Sequence, residues 1–215
     1  MATAKTEEVS TAFVPRKHGF KFVNNFAIDK SELGVGSGKL HFGLCGGMSL
    51  YALRAFGKGE KMPRVQKPPA AGTPHFRELF RLQTETLLPT TWGRFLRWQI
   101  RPDKPPIGNR YCVGTSTEGQ WRRKLRGRLK KGEPTILGLI RSKGPKGDPS
   151  QNHQVLAIGY RWSPATKDLA ISLYDPNHPG VPVEITMNFR NPAKGIRPKQ
   201  STGEKLRGFF VIDKG

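Results

Sequence analysis

HFGLCGGMSLYALRAF, residues 41–56, decides how the rest of the chain is read. A cysteine stands in a glycine cluster, and an apolar repeat follows it at once. Leu44, Met48, Tyr51, Ala52 and Ala55 recur at helical spacing and mark one buried face. Gly57 then supplies a stop. Cys45 therefore falls at or just before the first turn of a buried helix. Unpaired N–H groups and the positive end of the helix dipole favour a thiolate there over a thiol. Gly46 and Gly47 are expected to keep the space beside the sulfur open, with N–H groups around Cys45 facing a developing oxyanion. On this stretch alone, a structural cysteine packed as a small hydrophobe fits equally well.

A second stretch shifts that balance. Asn152 to Tyr160, NHQVLAIGY, reads as a strand opening on His153. Trp162-Ser163-Pro164 reads as a turn-rich loop, and Asp168 to Asp175, DLAISLYD, as the next strand, stopped by Pro176. Paired antiparallel, the two strands bring His153 and Asp175 to the same edge of a hairpin. A carboxylate there accepts a hydrogen bond from the imidazole and fixes its tautomer. Cysteine, histidine, then Asp175 or Asn177 is the order of a nucleophile, a base and an orienting group.

GLCGGM around Cys45, NHQVLAIGY and LYDPN together resemble the papain-like cysteine hydrolases. That family places its Cys at the start of a central helix, its His at the head of a sheet strand, and an Asn or Asp at the end of the next. The phrase His-x-Val-x-x-x-Gly-Tyr, with a following strand ending in Asp-Pro, is most similar to the bacterial branch that cleaves double-glycine leader peptides. Gly132-Glu133-Pro134 before Thr135–Arg141 resembles the strand ahead of the His strand in that branch. The likeness spans about Phe20 to Phe189 in three short pieces. It implies a central helix packed on an antiparallel sheet, and a peptidase or amidase that needs no cofactor. Its catalytic set would be Cys45, His153 and Asp175. It also implies a side-chain oxyanion donor ahead of the Cys. The family's Gln is replaced by Leu40 here, and His41, Lys39, Asn24 and Asn25 are the polar residues at hand. An acyl transferase of the transglutaminase kind would use the same machinery, with an amine in place of water.

The chain has 215 residues and a net charge of +21, with 25 glycines and 18 prolines, which suits one large domain with long ordered loops. No apolar run is long enough to cross a membrane. MATAKTEEVSTAF lacks the apolar segment of a secretory signal. Two cysteines make no disulfide framework, and a nucleophilic Cys45 suits the reducing cytoplasm. His18, His41, His75 and His178 do not form a metal set by spacing. Between Arg94 and Lys131, twelve Lys and Arg stand against Asp103 and Glu118. Such a patch points to an anionic partner, nucleic acid or an acidic protein, or is simply a solvated face. A nucleic-acid- or polyanion-binding protein on the same scaffold is thus the other class of function.

Read in order, residues 1–18 form a polar, mobile arm, and residues 19–215 a single α+β domain with a helical half, about 40–131, and a β half, about 135–213. Phe20, Phe22, Phe26 and Ile28 alternate as an extended segment packed on the Cys45 helix. Gly34, Gly36 and Gly38 make a flexible approach to Cys45. Pro74 opens a helix to about Leu88, with Phe76, Leu79, Phe80, Gln83 and Leu87 on one face. Thr91 to Ile100 is a second helix facing the core with Trp92, Phe95, Leu96 and Gln99. Arg101 to Ser116 reads as loop. Thr117 with Gln120 reads as a capping box, opening a helix with Trp121, Leu125 and Leu129 buried. Its outer residues Arg122, Arg123, Lys124, Arg126, Lys130 and Lys131 are the candidate anion-binding face. Five strands follow: Thr135–Arg141, His153–Tyr160, Asp168–Asp175, Pro182–Phe189 and Arg207–Asp213.

Overall fold

The apolar runs of the C-terminal half fold as strands of one antiparallel sheet. The computed structural model describes residues 5–33, 36–106 and 111–213. In chain order the strands are β1 (Glu7–Ser10), β2 (Phe26–Asp29), β3 (Lys39–Phe42), β4 (Thr135–Ile140), β5 (His153–Ser163), β6 (Asp168–Tyr174), β7 (Val183–Asn188), β8 (Lys199–Gln200) and β9 (Gly208–Val211). The helices are α1 (Pro15–His18), α2 (Cys45–Gly57), α3 (Pro74–Thr86), α4 (Pro89–Ile100), α5 (Val113–Gln120) and α6 (Arg126–Lys130). A π-helical turn, Trp121–Leu125, joins α5 to α6. The main sheet runs β8-β7-β6-β5-β4-β9, all neighbours antiparallel. Segregated helices and an antiparallel sheet make the fold α+β.

Helices cover both faces of the sheet. One face packs on the α5–α6 segment, where Trp121, Leu125 and Leu129 meet Leu137, Leu139, Val155 and Phe209. The other packs on α2, α3 and α4, joining Leu50, Leu82, Phe95 and Trp98 to Ile136, Leu156 and Phe210. A third cluster, Phe20, Phe22, Phe26, Leu44, Met48, Phe76 and Leu79, surrounds the start of α2. Each fully buried side chain of this size stabilises by about 1.5–3 kcal/mol relative to exposure. The expected face of α2 is buried at Leu44, Met48, Ala52 and Ala55, with Tyr51 half-buried.

Several expectations are revised. Residues 1–4 of the expected arm, and Gly34, lie outside the described residues. The rest of the arm is built into the fold. β1 pairs with the distal half of β5, Glu7 opposite Trp162 and Ser10 opposite Gly159. Glu7 pairs with Arg126 and Lys130 and accepts from the Tyr160 hydroxyl, and Phe13 is buried. β5 runs on through Trp162 and Ser163, read beforehand as loop, because β1 and β6 flank it there. A bulge at Ile158 marks where its partner changes from β4 to β1. Gly159 sits at that crossing, where a Cβ would lie 2.7 Å from the Val9 carbonyl oxygen.

α4 is rotated from the expected face. Thr91, Phe95, Trp98 and Gln99 are buried, whereas Trp92 and Leu96 are exposed. Phe210 decides this by stacking against both Phe95 and Trp98. On α3, Phe80 faces solvent and Leu82 takes a core position. The helix expected from Thr117 begins at Val113, four residues earlier. Its capping box is formed by Cys112 and Thr115 instead.

Candidate active site

The nucleophile candidate is placed by α2. Its first turn is held from outside, because Leu44 at the N-cap has no side chain to cap with. Asn24 Oδ1 accepts from the Leu44 N–H at 2.6 Å, and Gln83 Oε1 from the Gly47 N–H at 2.9 Å. These bonds satisfy donors that every helix start leaves open. Contrary to expectation, Gly46 and Gly47 do not keep space open beside the sulfur. They let neighbours approach. A Cβ at Gly46 would strike the Thr86 hydroxyl and the Gln154 amide, and one at Gly47 the Leu79 carbonyl of α3.

The base is placed by the sheet. His153 opens β5 and Asp175 directly follows β6, so the strand ends meet at one edge. His153 Nε2 lies 2.7 Å from Asp175 Oδ1, and both side chains are at least 95% buried. Nδ1 is left for the Cys45 sulfur, whose charge and that of the ring favour one another. Burial pushes the Cys45 thiol up. The His153 imidazole and backbone bonds from Gln154 and Gly46 outweigh it and hold the thiol below its ordinary value. His153 moves the other way. Burial lowers its pKa, but Asp175 and Cys45 raise it to about 9. Burial raises the Asp175 carboxyl, and His153, the Asn177 N–H and Arg141 bring it below the usual range. A thiolate–imidazolium pair backed by a carboxylate is the ionic state these shifts favour.

Asn177 is not the ring's partner. Its N–H donates to Asp175 Oδ1 at 2.9 Å, and its side-chain Oδ1 accepts from Asn24 Nδ2 at 2.9 Å. Comparison with family models, with curated proteins and with solved structures finds no match. The site must therefore be read from its own geometry.

The residues weighed as oxyanion donors separate clearly. Leu40 is 44% exposed on β3. His41 lines the cleft, but its Nδ1 pairs with Asn25 Oδ1 at 3.0 Å. The Gly46 backbone bonds the sulfur itself. Asn24 borders the cleft beside Gly43 and Cys45. With its oxygen on Leu44 and one N–H on Asn177, it keeps a second N–H in hand. Two contributors were missed in the sequence. Gln200, on the two-residue β8, donates to Asp175 Oδ2 at 3.2 Å. Gln83 was assigned only to a buried face. Neither lies near a recognisable motif. The cleft has a volume of about 580 Å³, and Cys45, Gln83, Trp92, Arg141, His153 and Asn177 are among its walls.

The candidate anion-binding helix is a poorer cationic surface than expected. Trp121, Leu125 and Leu129 are buried as predicted, and Arg122, Arg123, Lys130 and Lys131 are exposed. Lys124 and Arg126 are only half-exposed. Most of these charges have partners: Arg122 with Glu118 at 2.7 Å, Lys124 with Asp213 at 2.6 Å, and Lys130 with Glu7 at 3.0 Å. Arg126 also pairs with Glu7. Only Arg123 and Lys131 of the six make no ion pair among the described residues. Among those residues, no helix is long and apolar enough to cross a membrane.

Proposed function

We propose that this chain is a cysteine hydrolase on a papain-like scaffold, cleaving a peptide or amide bond through Cys45, His153 and Asp175. The observation that carries the reading is the seat of His153. One ring nitrogen is bound by a buried carboxylate at 2.7 Å, and the other faces a thiol at a helix start. A structural cysteine needs neither the imidazole nor the carboxylate behind it.

In the proposed reaction the Cys45 thiolate attacks the carbonyl carbon, and the C=O electron pair moves to oxygen. The Cys45 N–H and the free N–H of Asn24 receive that oxyanion. As the C–N bond breaks, the His153 imidazolium gives its proton to the departing amine. Water then attacks the thioester and loses a proton to His153. The C–S bond breaks, the carboxylic acid leaves, and the thiolate–imidazolium pair is restored. Asp175 stays ionised throughout and keeps the ring in register. Both cysteines are free thiols, which suits a reducing compartment such as the cytoplasm.

Iodoacetamide labelling across pH tests the thiol, with Cys112 as the internal control because it is buried at a helix cap. Cys45 should alkylate rapidly at pH 6 in the folded protein, where a free thiol is almost wholly protonated. A Cys45 that reacts no faster than a model thiol at that pH would overturn the reading.

A further inference from the structure

The cleft above Cys45 continues past the catalytic residues. Arg141, which follows β4, and Gln151 border both this cleft and a second groove of about 1000 Å³. Among the described residues no carboxylate lines the cleft, and Arg141 is the only permanently charged side chain on its wall. Its Nη2 donates to Gln200 Oε1 at 3.0 Å, while its Nε is buried with no partner. A guanidinium held by one bond keeps donors free in a geometry that matches a carboxylate.

The second groove has committed acids and uncommitted bases. Asp103 is held by Lys143 at 2.7 Å and by Arg207 at 2.7 Å. Glu204 is paired with His178 at 2.5 Å, and Asp148 caps the Ser150 N–H at 2.9 Å. Lys146, Lys199 and Lys205 line the same groove, are exposed, and make no ion pair among the described residues. Among the described residues the groove also has no aromatic side chain on which a base could stack. It opens onto a nucleophile suited to acyl carbon. Carboxylates on a peptide fit it better than phosphates on a nucleic acid.

We infer that the substrate is an acidic peptide, its scissile carbonyl at Cys45 and its carboxylate side chains running past Arg141 to Lys146, Lys199 and Lys205. This assignment rests on the hydrolase reading for the position of the scissile bond. The groove and its charges stand independently of it.

Three iodoacetylated peptides, carrying Glu-Glu-Glu, Gln-Gln-Gln or Lys-Lys-Lys, test it through the rate of Cys45 labelling, read by intact mass on the full chain. The Glu peptide should label on the order of tenfold faster than the Gln peptide at low ionic strength, and the Lys peptide slowest. Added salt should compress that ratio. Replacing Lys146, Lys199 and Lys205 together by Gln should bring the Glu-to-Gln ratio close to one, whereas Lys61→Gln with Lys67→Gln should leave it as it was. Arg141→Gln should reduce the ratio as well. Equal rates for the three peptides, or an undiminished preference in the triple variant, would overturn the assignment. A second measurement covers an unreactive thiol. Fluorescein-labelled hexaglutamate should bind the Cys45→Ala protein more tightly than hexaglutamine, and the triple variant should lose the difference. Slow labelling of Cys45 by all three peptides, alongside tight hexaglutamate binding, would reject the hydrolase and keep the acidic-peptide groove. Tighter binding of a single-stranded oligonucleotide than of hexaglutamate, lost in the same triple variant, would reject the peptide in favour of nucleic acid.

Discussion

Asp175 accepts from His153 and the Asn177 N–H through Oδ1, and from Gln200 through Oδ2, so its charge is spread over three donors inside the protein. Replacing it by Asn keeps the shape but removes the charge that stabilises the imidazolium. Asp175→Asn should fold normally, move the Cys45 alkylation midpoint to higher pH, and lower turnover by roughly 10²-fold. The pH profile of the parent follows from the same shifts. Cys45 lies below its ordinary value and His153 is raised to about 9. The ion pair therefore contributes fully between those two values. It is lost as pH falls through the Cys45 pKa, and lost again as pH rises through about 9. Reactivity toward iodoacetamide should show a plateau with those two edges. Asn24→Asp keeps the oxygen that caps Leu44 and removes the N–H offered to the oxyanion. We expect kcat to fall by about 10²-fold with KM little changed in steady-state assays. At this scale the His153–Asp175 contact and the place of Cys45 at a helix start were legible, because each residue sits in a short motif whose local structure is dictated by neighbours. Asn24 appeared only as one of several polar residues. Gln200 was silent, since its place depends on a two-residue strand closing across β7.

The packing of α2 on α3 turns on two glycines. Gly47→Ala would force a methyl group into the Leu79 carbonyl, which is backbone and cannot swing aside. Overpacking of this kind costs about 1–3 kcal/mol, and a thermal melt should show the loss as a lowered Tm. The Cys45 helix would shift with it, so labelling at pH 6 should slow in the same variant. Elements with a strong apolar pattern were readable: β4 (TILGLI) and β9 are buried at every position, β5 and β6 at most positions, and β7 at alternate ones. β1, EEVS, carries no such run and is held by the ion pairs of Glu7 and by pairing with β5. α5, VGTSTEGQ, likewise has too few apolar residues to show a helical period. On α4 two stripes competed, and nothing local distinguishes Trp92 and Leu96 from Phe95 and Trp98. The choice lies with Phe210, more than a hundred residues downstream.

Across the molecule, the +21 charge is not one uniform field. The α5–α6 segment is largely paired off by Glu7, Glu118 and Asp213, whereas the groove beyond Arg141 keeps free lysines. Charge counts along the α5–α6 stretch do not show this pairing, because Glu7 and Asp213 come from far away in the sequence. Glu7 is also an acid sensor for the fold. Its hydrogen bond to Arg126 outweighs the opposing effect of burial and holds its pKa at about 2, below the ordinary glutamate value of 4.5. A depressed carboxylate contributes stability that is present above the unfolded value and lost as pH falls through the folded one. Parent protein should therefore lose stability between about pH 4.5 and 2 more steeply than Glu7→Gln does, measured by urea unfolding at stepped pH.

The pairing of β1 with β5 also sets an order in time. Thr11 donates to the Ile158 carbonyl across 147 positions of sequence, so β1 waits for β5 to be made before it has a partner. β9 closes the other flank of β4 from further down the chain than β5. Contacts this distant in sequence slow assembly, since the loop must close before the pairing rewards it. Cys45 and His153 line one cleft at the head of β5. During synthesis, then, the Cys45 thiol has no imidazole beside it until β5, more than a hundred residues downstream, has been made.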